Sequence, residues 1–476
     1  MHVSTDLEIT WPFHFQPAAV RSGFGGGKLS SYCIALEAWR RGLVVSFLPP
    51  DATQVEISDG TTTVRFDHSR SSRITPVAQR LVESKLQTSQ TLRAHGVPVP
   101  ESYAFNTRES QLTDVVDVAE DLGYPVVLKP VRGSMGKGVF ANIHNVEQLT
   151  ACYQHLVYEL KKDRILLERH HLGRDIRVFV VGDRFIAAVE RLPANVVGDG
   201  KSTINQLITA KNLSRKKNPF LSTGLISKDY EVTEQVARAG YTFESVPSDG
   251  QHLALREKAN ASAGGDVIDV TNTLPPRVKQ AAVSAVKAIP GLPAAGVDIL
   301  WDSKETRVKD DSFVIIELNS RAHIGVNMYP TVGTGQDLPK AIIDDHFPTS
   351  PRREAEAFAD LTFDRKSFGT AISSGLVNRV VLAPPPAHGY PVRRLYTVPR
   401  ALKLTQGQRS ALSKQAKRLD VACTLRLSGG SPQVKLGASR LDSIRHFHAA
   451  LTEELSKQPQ EADEWCRPLY AGFRVI

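Results

Sequence analysis

The residues best suited to bind a nucleotide lie between Pro125 and Val139. Apolar residues 126–128 end at Lys129, and the following loop, 131–138, contains three glycines. Glycines let backbone N–H groups surround phosphate oxygens, and a lysine at a strand end supplies a fixed positive charge beside them. This pattern predicts a phosphate-binding strand and loop. The alternative is an ordinary turn beside an exposed lysine.

Segments on either side of this loop are spaced to complete a nucleotide site. A helix is predicted from Ser84 to His95, with Lys85 at its start and Gly96 as its C-cap. Downstream, residues 165–178 predict a strand, a linker and a second strand. The linker backbone can pair with an adenine edge, and a carboxylate after it can accept from ribose hydroxyls. The linker pair His170-His171 predicts a polar loop, because no third metal ligand is suitably spaced.

Oxygen ligands accompany two later apolar strands. Asp298 lies in residues 296–300, and Glu317 and Asn319 end the apolar run 313–318. Glu317 and Asn319 are two residues apart, so they face the same side of a strand. Carboxylate and amide oxygens suit Mg²⁺, which also keeps waters and phosphate oxygens. The sequence therefore predicts a magnesium site, with solvated strand-end carboxylates as the alternative.

The secondary-structure elements that would position these residues fall into three predicted regions of the chain. Residues 1–80 contain an amphipathic stretch (30–41) and a strand (43–48), which predicts a small α/β domain. Residues 81–348 carry nearly all the chemical signals. In the tail, 349–476, we predict a strand (376–382), a helix (408–419), a hairpin (424–427 and 433–436, turning at 428–431), a second helix (441–455) and a final strand (472–476). That order predicts a ferredoxin-like α+β module for binding or assembly.

Composition is typical of a globular protein, with 41% hydrophobic and 23% charged residues and a net charge of +9. No apolar run approaches the roughly 18 residues that span a bilayer, and the first ten residues lack a signal-peptide pattern. We therefore expect a cytoplasmic protein with no membrane partner. Basic residues are spread along the chain without a nucleic-acid-binding motif, so nucleic acid is not expected as a partner. The four cysteines lie far apart, which predicts reduced thiols.

Three longer stretches resemble a known family. They are 190–200 (ERLPANVVGDG), 255–271 (LREKANASAGGDVIDVT) and 317–325 (ELNSRAHIG), the last running on to DDHFP at 344–348. Together with the segments above, they resemble the ATP-grasp superfamily of carboxylate–amine ligases. The similarity covers about residues 80–348 and is greatest to the ATP-grasp domain of bifunctional glutathione synthetases and cyanophycin synthetases. It implies an α+β ATP-grasp fold preceded by a pre-ATP-grasp-like domain.

The resemblance also implies roles for individual residues. The ATP site would comprise Lys85, Lys129, Gly133, Ser134, Gly136, Lys137, Gly138, Glu168, Arg169, His170 and Asp175. Two Mg²⁺ ions, or Mn²⁺ in their place, would be held by Asp298, Glu317 and Asn319. Arg191 and Arg256 would act as catalytic residues that stabilise the transferring phosphoryl group. The substrate would lie near Arg177, Asn195, Asn260, Ser262, Gly264, Gly265 and Arg321.

The expected activity is amide-bond formation from ATP, a carboxylate and an amine through an acyl-phosphate, with ADP and phosphate as products. An amino acid or short peptide is the expected substrate, and the family resemblance allows a homodimer. One alternative is a glutathione-synthetase-like or amino-acid-polymer synthesis step. Another is a non-catalytic ATP-binding module, and a third is an acyl-group hydrolase acting through the tail. Lys129, Glu317 and Asn319 argue against the binding module, and the tail lacks a nucleophile motif for hydrolysis.

Overall fold

The structure is a computed structural model. It describes residues 9–24, 26, 28–133, 138–302, 312–354, 356–398, 403–427, 432–456, 458–462, 465 and 468–476. Three predicted ATP-binding residues, Ser134, Gly136 and Lys137, and the predicted hairpin turn at 428–431 lie outside the described residues.

The α-helices of the described residues, in chain order, are α1 (Pro17–Phe24), α2 (Leu29–Arg40), α3 (Pro76–Glu83), α4 (Lys85–Ala94), α5 (Leu112–Leu122), α6 (Val146–Gln154), α7 (Ile204–Lys217), α8 (Tyr230–Arg238), α9 (Pro276–Lys287), α10 (Gly325–Met328), α11 (Leu338–His346), α12 (Glu356–Ala359), α13 (Lys366–Ser373), α14 (Gln406–Arg418) and α15 (Leu441–Leu455). None of these helices has the length and apolar character needed to cross a bilayer.

The strands of the same residues, in chain order, are β1 (Val44–Leu48), β2 (Gln54–Ser58), β3 (Thr63–Asp67), β4 (Arg70–Ser71), β5 (Ser102–Asn106), β6 (Val126–Pro130), β7 (Phe140–Ile143), β8 (Arg164–Arg169), β9 (Arg174–Val181), β10 (Arg184–Val197), β11 (His252–Ala254), β12 (Gly265–Asp269), β13 (Ala294–Trp301), β14 (Phe313–Asn319), β15 (Leu361–Thr362), β16 (Val380–Val381), β17 (Val392–Thr397), β18 (Ala422–Arg426), β19 (Gln433–Ala438), β20 (Gln460–Glu461), β21 (Leu469–Tyr470) and β22 (Phe473–Val475).

The chain divides into two compact units. The first is built mainly from Ser69–Asn212 and Gly224–Gly333, and the second from Thr10–His68, Leu213–Thr223 and Thr334–Ile476. The expected three domains, with boundaries near residues 80 and 348, stay a prediction.

The first unit contains two antiparallel sheets. The smaller has the order β5-β8-β6-β7, and its apolar face packs with α5 and α6. The larger has the order β11-β10-β9-β13-β14, with β12 also paired to β10. Alternate residues of β9 and β13, such as Val178 and Val297, are fully buried against α9. The opposite sides of the same strands are therefore left to carry polar side chains.

The predicted helix at residues 84–95 is confirmed as α4. Ser84 is its N-cap and accepts the N–H of Gln87, and the backbone at Gly96 has a positive φ of 69° where the helix has ended. Lys85 is the first helical residue, so the cap sets where this lysine points into the first unit.

The second unit begins with an antiparallel sheet of order β16-β1-β2-β3. The sequence predicted β1 but missed the β2–β3 hairpin. The helix predicted at residues 30–41 is confirmed as α2. Its predicted amphipathic character is wrong, because every residue of α2 is buried and the helix has no exposed face. Its Glu37 is satisfied by arginines, with Arg352 Nη2 lying 2.6 Å and Arg41 Nη2 2.7 Å from its carboxylate oxygens.

The tail folds into the predicted ferredoxin-like module. Its sheet order is β20-β17-β19-β18, with antiparallel pairing throughout, and β22 adds to β18 in parallel. Helices α14 and α15 cover one face with Leu412, Phe447 and Leu451, all fully buried. The predicted strand at 376–382 is wrong in length and in sheet, because only Val380–Val381 is a strand and it pairs with β1. Leu376 is 82% exposed, so burial of its side chain does not stabilise a strand at this position. The module begins instead with β17, which was not predicted.

Candidate active site

Charged side chains cross one face of the larger sheet. Asp298 on β13 lies directly opposite Glu317 on β14 and opposite Arg177 on β9. One step along the same face, Asp175 on β9 lies opposite Arg191 on β10. Neighbouring strands thus place alternating acids and bases in one cluster.

Asp298 is the centre of this cluster. Arg177 donates to both of its oxygens, with a distance of 2.8 Å from Nη2 to Oδ2, and an Arg191 nitrogen lies 3.4 Å from Oδ1. Burial opposes ionisation of Asp298, but the two arginines outweigh it and hold its pKa below the ordinary value. Asp298 is therefore a carboxylate at neutral pH.

Asp175 and Arg191 form a second pair in the cluster. Arg191 Nε donates to Asp175 Oδ1 over 3.0 Å. Burial raises the pKa of Asp175 even though Arg191 favours its charged form. Burial also works against the charge of Arg191, but Asp298 and Asp175 together raise its pKa. The predicted ribose ligand and a predicted catalytic arginine are thus bonded to each other in the described structure.

Glu317 and Lys85 connect the sheet to the glycine-rich loop. Lys85 Nζ lies 3.9 Å from Glu317 Oε1 and donates to the carbonyl oxygen of Gly133 over 2.9 Å. Burial raises the pKa of Glu317, and Lys85 partly offsets this. A partly buried carboxylate whose charged form is disfavoured gains from a cation bound at that position.

The predicted magnesium ligands fit a site completed by a nucleotide. Asn319 lies two residues beyond Glu317, and its Oδ1 accepts the backbone N–H of Arg321 over 2.9 Å. Within the described ranges, no group of three or more His, Cys, Asp or Glu side chains is placed to hold a metal. Asp298, Glu317 and Asn319 would therefore hold the ion together with waters and phosphate oxygens, as Mg²⁺ prefers.

The smaller sheet presents Lys129, which ends the apolar run of β6 as predicted. Its Nζ lies 2.6 Å from Glu168 Oε2 on β8, and both residues are almost completely buried. Sequence reasoning assigned the backbone near Glu168 to adenine and missed this side-chain pair. The signal available was an acidic residue and a lysine near the ends of two apolar strands.

The linker after β8 is attached to residues on both sides. Arg169 donates to Glu101 over 3.2 Å, and the backbone N–H of His170 donates to Pro125 O over 3.1 Å. Ring nitrogens of His170 and His171 are buried without a hydrogen-bond partner among the described residues. Burial lowers the pKa of both rings, so they are neutral at neutral pH.

The predicted substrate residues fall into separate places. Asn195 belongs to a polar cluster in which Lys211 Nζ lies 3.0 Å from its Oδ1 and 2.6 Å from Asp266 Oδ2. The amide of Asn195 also donates to Asp266 Oδ2 over 2.9 Å. Sequence reasoning missed Lys211 and Asp266, which come from α7 and β12 and show no motif of their own.

The turn that precedes β12 is shaped by glycine. Asn260 caps it by accepting the N–H of Ser262 over 2.9 Å, and Gly264 has a φ of 96°. A side chain at Gly265 would come within 2.4 Å of the backbone oxygen of Leu192. Arg321 is exposed, and Gly138 has a φ of 72° at the end of the glycine-rich loop. The roles predicted for these residues stay predictions.

Similarity to known proteins assigns the family of this site. Residues 82–213 match the family model described as a RimK-like ATP-grasp domain. This chain contains an ATP-grasp domain. The ATP-grasp domain includes Lys85, Lys129 and the β8–β9 linker, and the chain resembles its relatives well beyond that segment.

Two curated relatives illustrate the similarity. The chain is 31% identical to the cyanophycin synthetase of Trichormus variabilis over 322 residues, which is 67% of this chain and 35% of that protein. It is 31% identical to the glutathione biosynthesis bifunctional protein of Desulfotalea psychrophila over 284 residues, which is 58% of this chain and 35% of that protein. The chain spans about a third of the length of these relatives.

A solved structure supports the fold. The bifunctional glutathione synthetase from Pasteurella multocida superimposes with a TM-score of 0.55 at 25% identity, covering 68% of this chain and 45% of that one. The predicted ATP-grasp fold, with its mixture of helices and antiparallel sheets, is therefore confirmed.

Proposed function

We propose that this protein is an ATP-dependent carboxylate–amine ligase that forms an amide bond through an acyl-phosphate. One contact supports this most directly. Lys85 reaches both the carbonyl oxygen of Gly133 in the predicted phosphate loop and the carboxylate of Glu317 at the predicted metal site. A single cation therefore joins the two groups that ATP and its metal would occupy.

The reaction has two steps. A substrate carboxylate oxygen bonds to the γ-phosphorus of ATP, and the bond from that phosphorus to the bridging oxygen breaks, so ADP leaves. The amine nitrogen then bonds to the acyl carbon, phosphate leaves with the acyl–oxygen electron pair, and the amine proton passes to water. Each step places negative charge on phosphate oxygens, so fixed cations stabilise it.

The side chains of this chain have distinct roles in the proposal. Lys85 and Lys129 bind ATP phosphates, and Arg191 and Arg256 stabilise the phosphoryl group during transfer. Asp298, Glu317 and Asn319 hold Mg²⁺, which when bound neutralises charge between the terminal phosphates. Arg177 and Asp298 are largely buried, which strengthens the electrostatic contact between them.

The substrates are proposed from chemistry and from relatives. The relatives are named as a cyanophycin synthetase and as a protein of glutathione biosynthesis, and on this likeness we propose an amino acid or short peptide as substrate. A glutathione-synthetase-like step and an amino-acid-polymer step are both included in this class. We further propose that the protein acts on small molecules, as a monomer or homodimer.

The test is ATP-dependent phosphate release by purified protein with Mg²⁺, screened over pairs of amino acids and short peptides. Mass spectrometry then identifies the product. Release that requires both partners, with a product equal to their sum minus one water, supports the ligase. ATP binding without release across the screen would point to a non-catalytic ATP-binding module.

A matched pair of variants connects the activity to the site. Glu317→Gln should remove phosphate release while the protein stays folded. Glu159→Gln changes an exposed carboxylate of the ion pair with His155 and should leave release unchanged. Equal activity in the two variants would contradict the proposed metal site.

A further inference from the structure

Arg256 is held at its terminal nitrogens by two carboxylates from the start of α8. Nη1 donates to Glu231, and Nη2 donates to Asp229 and, over 3.2 Å, to Ser227. Arg256 is only 9% exposed, whereas the Asp229 and Glu231 side chains are 46% and 54% exposed. The carboxylates therefore hold a buried guanidinium from the side nearer to solvent.

The Nε–H of Arg256 has no partner among the described residues, and the nitrogen is buried. An unsatisfied buried donor is costly, and such groups in native proteins usually bond to water or a ligand. The Nε–H is thus a donor that a bound oxygen anion can use without displacing Asp229 or Glu231.

The residues on either side of Arg256 contact the proposed phosphate site. Two residues further on, Lys258 Nζ donates over 3.2 Å to the carbonyl oxygen of Val139, the residue after Gly138. On the other side, Leu255 N–H donates over 2.7 Å to Ala194 O on β10, the strand that carries Arg191. Arg256 therefore belongs to a short segment, 255–258, that contacts both the loop end and β10.

We infer that Asp229 and Glu231 are positioning residues, which fix Arg256 so that its Nε–H binds a phosphoryl or carboxylate oxygen of the reacting substrate. This inference rests on the proposed ligase function. A guanidinium donates through five N–H groups in a rigid fork, so carboxylates bonded at its two ends set the direction of the third nitrogen. Without them the side chain regains its rotamer freedom and the donor is misplaced.

The chain allows conservative tests of these two residues. Asp229 is also the N-cap of α8, accepting the N–H of Val232 over 3.2 Å, and asparagine caps equally well. Asp229→Asn and Glu231→Gln therefore remove charge while keeping size and helix capping. Glu257→Gln is a matched control. Glu257 pairs at 3.7 Å with Arg238, the last residue of α8, and its side chain is 72% exposed.

The first experiment is steady-state kinetics with the substrate pair that supports phosphate release. Asp229→Asn and Glu231→Gln should each lower kcat about tenfold to a hundredfold, as expected for a catalytic group misplaced by about 1 Å. The KM for ATP and the melting temperature should stay near those of the wild type, and Glu257→Gln should match the wild type. Wild-type kcat in both charge-removing variants would overturn the inference, as would a lowered melting temperature that accounts for the loss.

The second experiment does not depend on turnover. The ¹⁵N–¹H signal of Arg256 Nε, assigned with Arg256→Lys, is followed while inorganic phosphate is added to the protein with MgADP. A shift in the wild type and Glu257→Gln, absent from Glu231→Gln, supports the inference. An unresponsive wild-type signal overturns it. A responsive signal in a protein with no ligase activity would reject the proposed function and keep the positioning role.

Discussion

The buried pair Lys129–Glu168 gives the sharpest prediction about the ATP-grasp domain. Lys129 is 6% exposed, Glu168 is 5% exposed, and 2.6 Å separates their charged atoms. Removing one partner leaves a buried charge without compensation, which costs roughly 3–5 kcal/mol. Glu168→Met and Lys129→Met should therefore destabilise β6 and β8 by amounts in that range.

Hydrogen exchange of the β6 and β8 amides measures this locally. A loss of 3–5 kcal/mol lowers their protection by about two to three and a half powers of ten. The control is Glu101→Met, which breaks the half-exposed pair with Arg169 on the same strand and should cost about 1 kcal/mol or less. The double variant Lys129→Met/Glu168→Met should cost much less than the sum of the single changes. The reasoning is refuted if Glu168→Met matches Glu101→Met, or if the single costs add.

Three further predictions concern pH and packing. Because burial raises the pKa of Glu317, its ionised form opposes folding, so Glu317→Gln should melt above the wild type at pH 7, and the difference should vanish below about pH 4. Burial opposes ionisation of Glu37, but Arg352 and Arg41 outweigh it and hold its pKa below the ordinary value. The second unit should therefore lose stability as pH falls below about 4.5, and Glu37→Gln should abolish that part of the pH dependence in thermal melts. Gly265→Ala should destabilise the β10–β12 pairing by about 1–3 kcal/mol in urea unfolding, since its Cβ would approach a backbone oxygen to 2.4 Å. Gly407→Ala is the control, because of the described residues its Cβ would meet only Thr405 Oγ1, at 4.0 Å, and it should not destabilise the protein.

Local pattern predicted much of the fold. The spacing of Leu441, Phe447 and Leu451 predicted α15 with the bounds that the structure has, and β18 and β19 were predicted to within two residues. The β2–β3 hairpin was missed although its signal is present, because apolar and polar residues alternate along both strands and Asp59-Gly60 lies in the turn between them.

The sequence predicted which residues belong to the candidate site better than it predicted which residues they bond to. Lys129, Asp298 and Glu317 each end or interrupt an apolar run, which marks them individually. Their bonding depends on which strands become neighbours, and sequence spacing carries no direct information on that. Arg177 bonds to a residue 121 positions away, and Lys211 joins Asp266 across 55 positions. Such pairs follow from sheet order and become visible only in three dimensions.

The second unit is discontinuous in the chain, and this affects the order in which it can fold. Its first sheet strands and α2 leave the ribosome early, but β16 and Arg352 are synthesised only after the whole segment of the first unit. Until then β1 has an open edge and Glu37 lacks one of its two arginines, a state prone to wrong strand pairing. A fragment that ends near residue 348 would contain β1 and Glu37 but would lack β16 and Arg352. A fragment designed to express the ATP-grasp segment alone should therefore begin after His68.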